Sequence, residues 1–184
     1  MPQGLDGPVF RDATREDAPA LAHLDRLCFP ARPYPERLIG DHVSRGAPCH
    51  VAEGGRDREL WGFAMVDLHP ETGDGLLLTI DVVPAMRRRG LGTALLGLCA
   101  RSVVARGGEI MVLTAGSRNE TAQALYAKVG FEEAGAIEGY YEDDDAIVML
   151  HRHVAELAAR APQAPPAPTA PMAPPAPPEP PAPH

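Results

Sequence analysis

Apolar residues recur along this chain in two rhythms that trade places. Leu21, Leu24, Leu27 and Cys28 stand three or four apart and lay a stripe along a helix, which Thr14-Arg15-Glu16-Asp17 opens with a capping residue and early acids. Pro30, Pro33 and Pro35 break the chain, and a second helix is predicted over about 36–44. Short strands are predicted at Val9–Arg11 and His50–Glu53, and a longer apolar one at Leu60–Leu68. Thr72-Gly73-Asp74-Gly75 has hairpin-turn composition, and Leu76–Val83 returns as the next strand, closed by Pro84. A long helix follows from Leu91 to about Ala105 and stops at Arg106-Gly107-Gly108. Beyond it Ile110–Thr114 reads as a strand. Asn119 caps a helix whose Ala122, Leu125, Tyr126 and Val129 share one face, and Gly130 ends it. Phe131–Ala134 and Ala146–Leu150 are the last predicted strands, with the acidic loop Glu142-Asp143-Asp144-Asp145 between them. This order predicts an α/β (α+β) domain, with a hairpin before a glycine-rich turn and a strand–helix–strand unit after it.

Composition sets the limits of that domain. Residues 1–7 are polar and glycine-bearing and read as a flexible N-terminus, and residues 8–156 form the domain. Residues 161–184 are almost wholly proline and alanine, a disordered or polyproline spacer whose Pro-x-x-Pro matches also leave room for a docking partner. A net charge of −8 argues against a general nucleic-acid binder, yet allows one local basic pocket. Cys28, Cys49 and Cys99 are odd in number and form no C-x-x-C pair, a pattern that fits a reducing cytoplasm. No apolar run reaches the length of a membrane span, and the first residues carry no apolar leader core. His23, His42, His50 and His69 show no ligand spacing, so no metal is expected. His151 and His153 alternate with Arg152 and read as surface residues. A monomer or weak dimer is the expected state.

The strongest chemical signal is Arg87-Arg88-Arg89-Gly90-Leu91-Gly92-Thr93, set between a strand and a helix. A helix start presents unpaired N–H groups and partial positive charge, glycine lets the backbone approach an anion, and arginine supplies planar donors. The same residues also serve an ordinary turn.

Read together, several motifs resemble those of the GCN5-related N-acetyltransferases. Arg87-x-x-Gly90-x-Gly92 after a strand is similar to that family's acyl-CoA pyrophosphate loop, and Asn119-Glu120-Thr121-Ala122 with Leu125-Tyr126 and Gly130-Phe131 to its second signature. Gly139-Tyr140-Tyr141 and Asp145–Met149 resemble the end of the ribosomal-protein-alanine branch, and the likeness spans about residues 8–153. It implies a mixed, mostly antiparallel sheet, splayed at the acetyl-CoA site and flanked by about four helices. It also implies acetyl-CoA as co-substrate, with Arg87, Arg88, Arg89, Gly90, Leu91, Gly92 and Thr93 at the pyrophosphate and Ile80, Asp81 and Val82 offering free backbone to the pantetheine arm. Asn119 would touch the cofactor as well as cap its helix. Tyr126 would act as general acid at the sulfur, although its place on an apolar face also suits a core tyrosine.

The sequence departs from that branch at one point. Thr114 stands where the branch carries a glutamate base, and a hydroxyl is no base near neutral pH. Candidate replacements are Asp81, Glu138 and Tyr140, and water could also take the proton. Phe29, Tyr34, Glu138, Tyr140 and Tyr141 are the candidate acceptor-lining residues. The resemblance implies acetylation of a primary amine, foremost a protein or peptide N-terminus. A small-molecule amine such as a polyamine or antibiotic is the second reading, and a non-catalytic acyl-CoA-binding module the third.

Overall fold

The computed structural model describes residues 7–163. Seven strands form one sheet in the order β1-β2-β3-β4-β5-β7-β6. They are β1 Val9–Asp12, β2 Cys49–Gly54, β3 Glu59–Leu68, β4 Gly75–Val82, β5 Met111–Gly116, β6 Glu132–Tyr141 and β7 Asp144–His151. All neighbours pair antiparallel except β4 and β5, which run parallel and meet only at Gly75↔Met111 and Leu76↔Val112. Past Leu76 the two strands part, and β4 keeps β3 as its one pairing partner as far as Val82. A register shift between Met65 and Val66 of β3, opposite Thr79 and Leu77, supplies the local twist that opens the gap.

Helices cover both faces. α1 (Ala18–Cys28) and α2 (Glu36–Ser44) bury Leu21, Leu24 and Ile39 against Val51, Phe63 and Met65. α3 (Leu91–Ala105) buries Leu95, Leu96, Cys99 and Val103 against Ala64, Val66, Leu77, Met111 and Leu113 on the opposite face. The alternation of Phe63 and Met65 with Ala64 and Val66 is the two-residue period of a strand buried on both sides. α4 (Glu120–Val129) starts at Asn119, whose side-chain oxygen accepts from Ala122 N at 3.1 Å, and ends at Gly130 with φ 108°. Only glycine takes that left-handed turn without strain.

Three features differ from the sequence expectation. β6 does not stop at Ala134 but runs to Tyr141, so Glu138 and Tyr140 lie on a strand rather than a loop. The acidic run is consequently short of a loop, because Asp144 and Asp145 are tied to backbone. Asp144 accepts from Ser117 Oγ at 2.5 Å and Arg118 N at 3.2 Å, and Asp145 accepts from Gly139 N at 2.8 Å. A fifth helix, α5 (Val154–Ala158), too short to show periodicity, buries Val154 and Leu157 on α3. It brings Ala161 against Gly97, where a Cβ would stand 2.7 Å from Ala161 N. Arg101 Nη2 donates to Ala161 O at 3.2 Å and Pro162 O at 2.9 Å. Ala161 and Pro162, read from sequence as spacer, are thus part of the packed structure, whereas residues 1–6 and 164–184 lie outside the described residues.

His151, expected at the surface, also departs from expectation. His151 is buried, its ring edge-on to Phe131 at 5.1 Å and its Nε2 3.1 Å from Val129 O. His50 is buried between Asp12 Oδ1 at 2.8 Å and Ser102 Oγ at 2.9 Å. Burial lowers the proton affinity of His50, outweighing the opposing pull of Asp12, and burial also lowers that of His42. A group whose folded pKa is depressed binds fewer protons folded than unfolded, so its contribution fades as pH falls below the unfolded value of about 6.5. Measured against His50→Asn, the wild-type urea midpoint is therefore expected to fall between pH 7.5 and pH 5. An equal slope in the variant would remove His50 from the account.

Candidate active site

The turn between β4 and α3 is built from two left-handed residues. Arg88 has φ 63° and Gly90 has φ 82°. Such alternation aims successive N–H groups to one side. No side chain caps α3, and the first helical bond to Gly90 O comes from Ala94 N at 3.0 Å. The N–H groups of Leu91, Gly92 and Thr93 therefore have no partner within the helix. Nothing lies within 4 Å of where a Cβ on Gly90 would stand, so the approach is open. Gly92 faces inward instead, with Leu125 Cδ2 3.1 Å from its virtual Cβ. A diphosphate fits this donor set. Arg87 is turned the other way: its Nε donates to Val82 O at 2.9 Å and its Nη2 approaches Cys28 Sγ at 3.9 Å.

The parted edge of β4 lies beside the turn. Val83 N bonds Trp61 O of β3 at 2.9 Å, and by strand alternation the main chain of Val82 and Ile80 faces the gap. Asp81 differs from the sequence expectation here. Its carbonyl oxygen is turned to β3, 2.5 Å from where a Cβ on Gly62 would stand, so its backbone is not on the free edge. Val82 O is already occupied by Arg87, and by Cys28 Sγ at 3.6 Å. Leu78 O accepts from Tyr34 Oη at 3.2 Å.

Asp81 offers its side chain instead. The carboxyl is 1% exposed, accepts from Thr79 Oγ1 at 2.9 Å, and leaves its second oxygen without a partner. Burial first, and the charge of Asp25 second, push its pKa up to about 7. Asp25, a residue that sequence reasoning did not single out, is fully buried on α1, accepts from Tyr34 N at 2.6 Å and is likewise raised, mainly by burial. An acid three positions before a cysteine on a helical stripe was the only signal available. Tyr126 is 7% exposed and packs near Phe131, with ring centroids 5.8 Å apart. Burial, then the charges of Asp81 and Tyr141, hold its phenol well above the ordinary range.

The acceptor candidates come from two walls that touch. Tyr34 is raised in pKa by burial, with smaller contributions from Asp25, Tyr140 and Tyr141. Tyr140 and Tyr141 stack edge to face at 5.0 Å, and Arg32 from the α1–α2 connection lies 5.2 Å from the Tyr141 ring centroid. Tyr141 Oη meets Thr114 Oγ1 at 3.3 Å. Phe29 and Tyr140 remain exposed at the rim, and Glu138 is exposed on β6. Asn119 is occupied in capping α4. No cluster among the described residues suits a metal ion.

Comparison with known proteins gives this geometry its context. Residues 18–131 match the acetyltransferase (GNAT) family. The chain is 30% identical over 151 residues to an N-alpha-acetyltransferase of Sulfurisphaera tokodaii, covering 76% of this chain and 90% of that one. It is 29% identical to the [ribosomal protein bS18]-alanine N-acetyltransferase of Escherichia coli, covering 72% and 89%. An uncharacterized Mycobacterium leprae protein is 32% identical, and the match spans 41% of its length. The crystal structure of the ribosomal-protein-S18-alanine N-acetyltransferase from Escherichia coli superposes with a TM-score of 0.68 at 26% identity, over 78% of this chain and 92% of that one. An uncapped left-handed turn, a sheet that parts beside it and these likenesses make the chain a member of the acetyltransferase (GNAT) family and an acetyltransferase enzyme.

Proposed function

We propose that this enzyme acetylates a primary amine, foremost the α-amine of a protein or peptide N-terminus, with Asp81 as general base. The observation that carries the proposal is the buried Asp81 carboxyl with an unpartnered oxygen and a pKa near neutrality, next to an uncapped anion-binding turn. Acetyl-CoA supplies an acetyl thioester and departs as the thiolate. The N–H groups of Leu91, Gly92 and Thr93, with Arg88 and Arg89 alongside, hold its diphosphate. The Ile80 main chain pairs with the pantetheine amides and polarises the acyl carbonyl. Asp81 takes the proton of the attacking amine, since a base titrating near the working pH combines availability with driving force. Tyr126 keeps its proton, because its affinity stands far above that of a thiol, and serves the leaving sulfur by donating a hydrogen bond.

An N-terminal acceptor is favoured by the relatives named for N-terminal acetylation and by the aromatic rim that Phe29, Tyr34, Tyr140 and Tyr141 offer to a chain end. A small cationic amine is favoured by the carboxyl-rich floor. Thiol release measured with N-terminal peptides and with free polyamines separates the two. Tyr126→Phe is expected to lower kcat about tenfold, the worth of one hydrogen bond to a charged group, while acetyl-CoA binds as before. Acetyl-CoA binding with no thiol release from any acceptor would leave only a binding module.

A further inference from the structure

Asp25 and Asp81 are the two most completely buried carboxyls of the site, at 0% and 1% exposure, and they come from different elements, α1 and β4. Each has one oxygen committed: Asp25 Oδ2 to Tyr34 N at 2.6 Å, Asp81 Oδ2 to Thr79 Oγ1 at 2.9 Å. Each leaves its Oδ1 buried and unpartnered. Neither forms an ion pair with any described residue. Asp25 lies close enough to Asp81 to raise its proton affinity by charge, and a proton on either carboxyl could bridge the two bare oxygens. The other groups facing them are Cys28 and Arg26 on α1, Tyr34 before α2 and Tyr126 on α4, with Arg87 behind Cys28 and Tyr140 and Tyr141 behind Tyr34. Arg26 acts by charge on Asp25 itself, opposing the rise that burial causes, and Arg87 acts on Cys28.

Two ionised carboxylates in such a place leave two bare oxygens and an uncompensated double charge, and a single added proton relieves both. We propose that Asp25 and Asp81 act as one unit, in which the proton that Asp81 removes from the amine is held between the two carboxyls, and that Asp25 is the positioning residue that sets the affinity of Asp81 for that proton. This rests on Asp81 being the base. The balance is simple: the N–H bond of the ammonium breaks, an O–H bond forms on Asp81, and Asp25 accepts the hydrogen bond from it. Asp25 has a second duty that makes the arrangement specific to this site. By accepting from Tyr34 N it fixes the acceptor wall to the same carboxyl pair, and Tyr34 Oη in turn holds Leu78 O on β4.

The test is the pH dependence of kcat/KM for acetylation of a reactive primary amine by the full chain. In the wild type the rate rises with pH through an acid limb near the value of Asp81, about 7. Asp25→Asn keeps an acceptor for Tyr34 N but removes a charge, and should move that limb down by about one to three pH units. Asp25→Glu should restore it upward. An unmoved limb in Asp25→Asn, with the limb absent from Asp81→Asn, overturns the pairing and leaves Asp81 as a lone base. A wild-type rate and limb in Asp81→Asn overturns the base and the pairing together. Infrared titration of the wild-type protein gives an independent reading should a variant not fold. A protonated-carboxyl band that disappears through the same pH range is expected, and its absence below the limb overturns the shared proton.

Discussion

Asp81→Asn is expected to lower kcat by about a hundredfold or more, within the range of a lost general base. Asparagine is nearly isosteric, so Thr79 and β3 keep their contacts, and acetyl-CoA should bind within about threefold of wild type by the affinity scale of one weak contact. The variant should also lose the acid limb near pH 7. Stability should change in a defined direction. A carboxyl whose folded pKa is raised above its unfolded value binds more protons folded, so the wild type loses stability as pH rises from about 4 through that folded value. Asp81→Asn removes that loss, so its melting temperature should exceed wild type at pH 8. A variant that is inactive yet no more stable at pH 8 would mean that the carboxyl is not held against its charge. A base with a cost in stability is the usual sign of a group placed for chemistry.

Gly90→Val is expected to weaken acetyl-CoA binding about a hundredfold. Gly90 has φ 82°, and a branched side chain there costs about 1–2 kcal/mol in backbone strain alone. Relief of that strain rotates the Leu91 N–H away from the turn, at a further cost of about 1.5–3 kcal/mol for one charge-assisted hydrogen bond. Calorimetric titration with acetyl-CoA and with dephosphorylated pantetheine separates the contributions. The loss should appear for acetyl-CoA and vanish for the pantetheine fragment, which has no diphosphate. An equal loss with both would place the damage at the β4 edge and not at the phosphates.

The elements that were legible in sequence are those whose information is local. α3 runs over Leu91–Ala105, matching the expected end at about Ala105, because Gly90 and Arg106-Gly107 mark its ends. α2 and β3 were recovered within a residue for the same reason. The sequence reading ends β6 at Ala134, whereas the structure carries it on through Gly135 and Gly139, which lie at register shifts within a paired strand that no local period reveals. α5 was missed because a five-residue helix carries no periodicity and is held by its contact with α3.

The candidate site divides along the same line. Sequence alone named the turn at residues 87–93 and Tyr126 as candidates, because both sit in contiguous motifs whose chemistry depends on neighbouring residues. It also named Asp81, but for its backbone as well as its side chain. Only the tertiary structure decided that Asp81 turns its carbonyl to β3 and buries its carboxyl. The same folding delivers Asp25 from α1, fifty-odd positions away in sequence, as its partner. A proton affinity is a property of what surrounds a group, and these surroundings come from α1, β4 and α4, which no local pattern links.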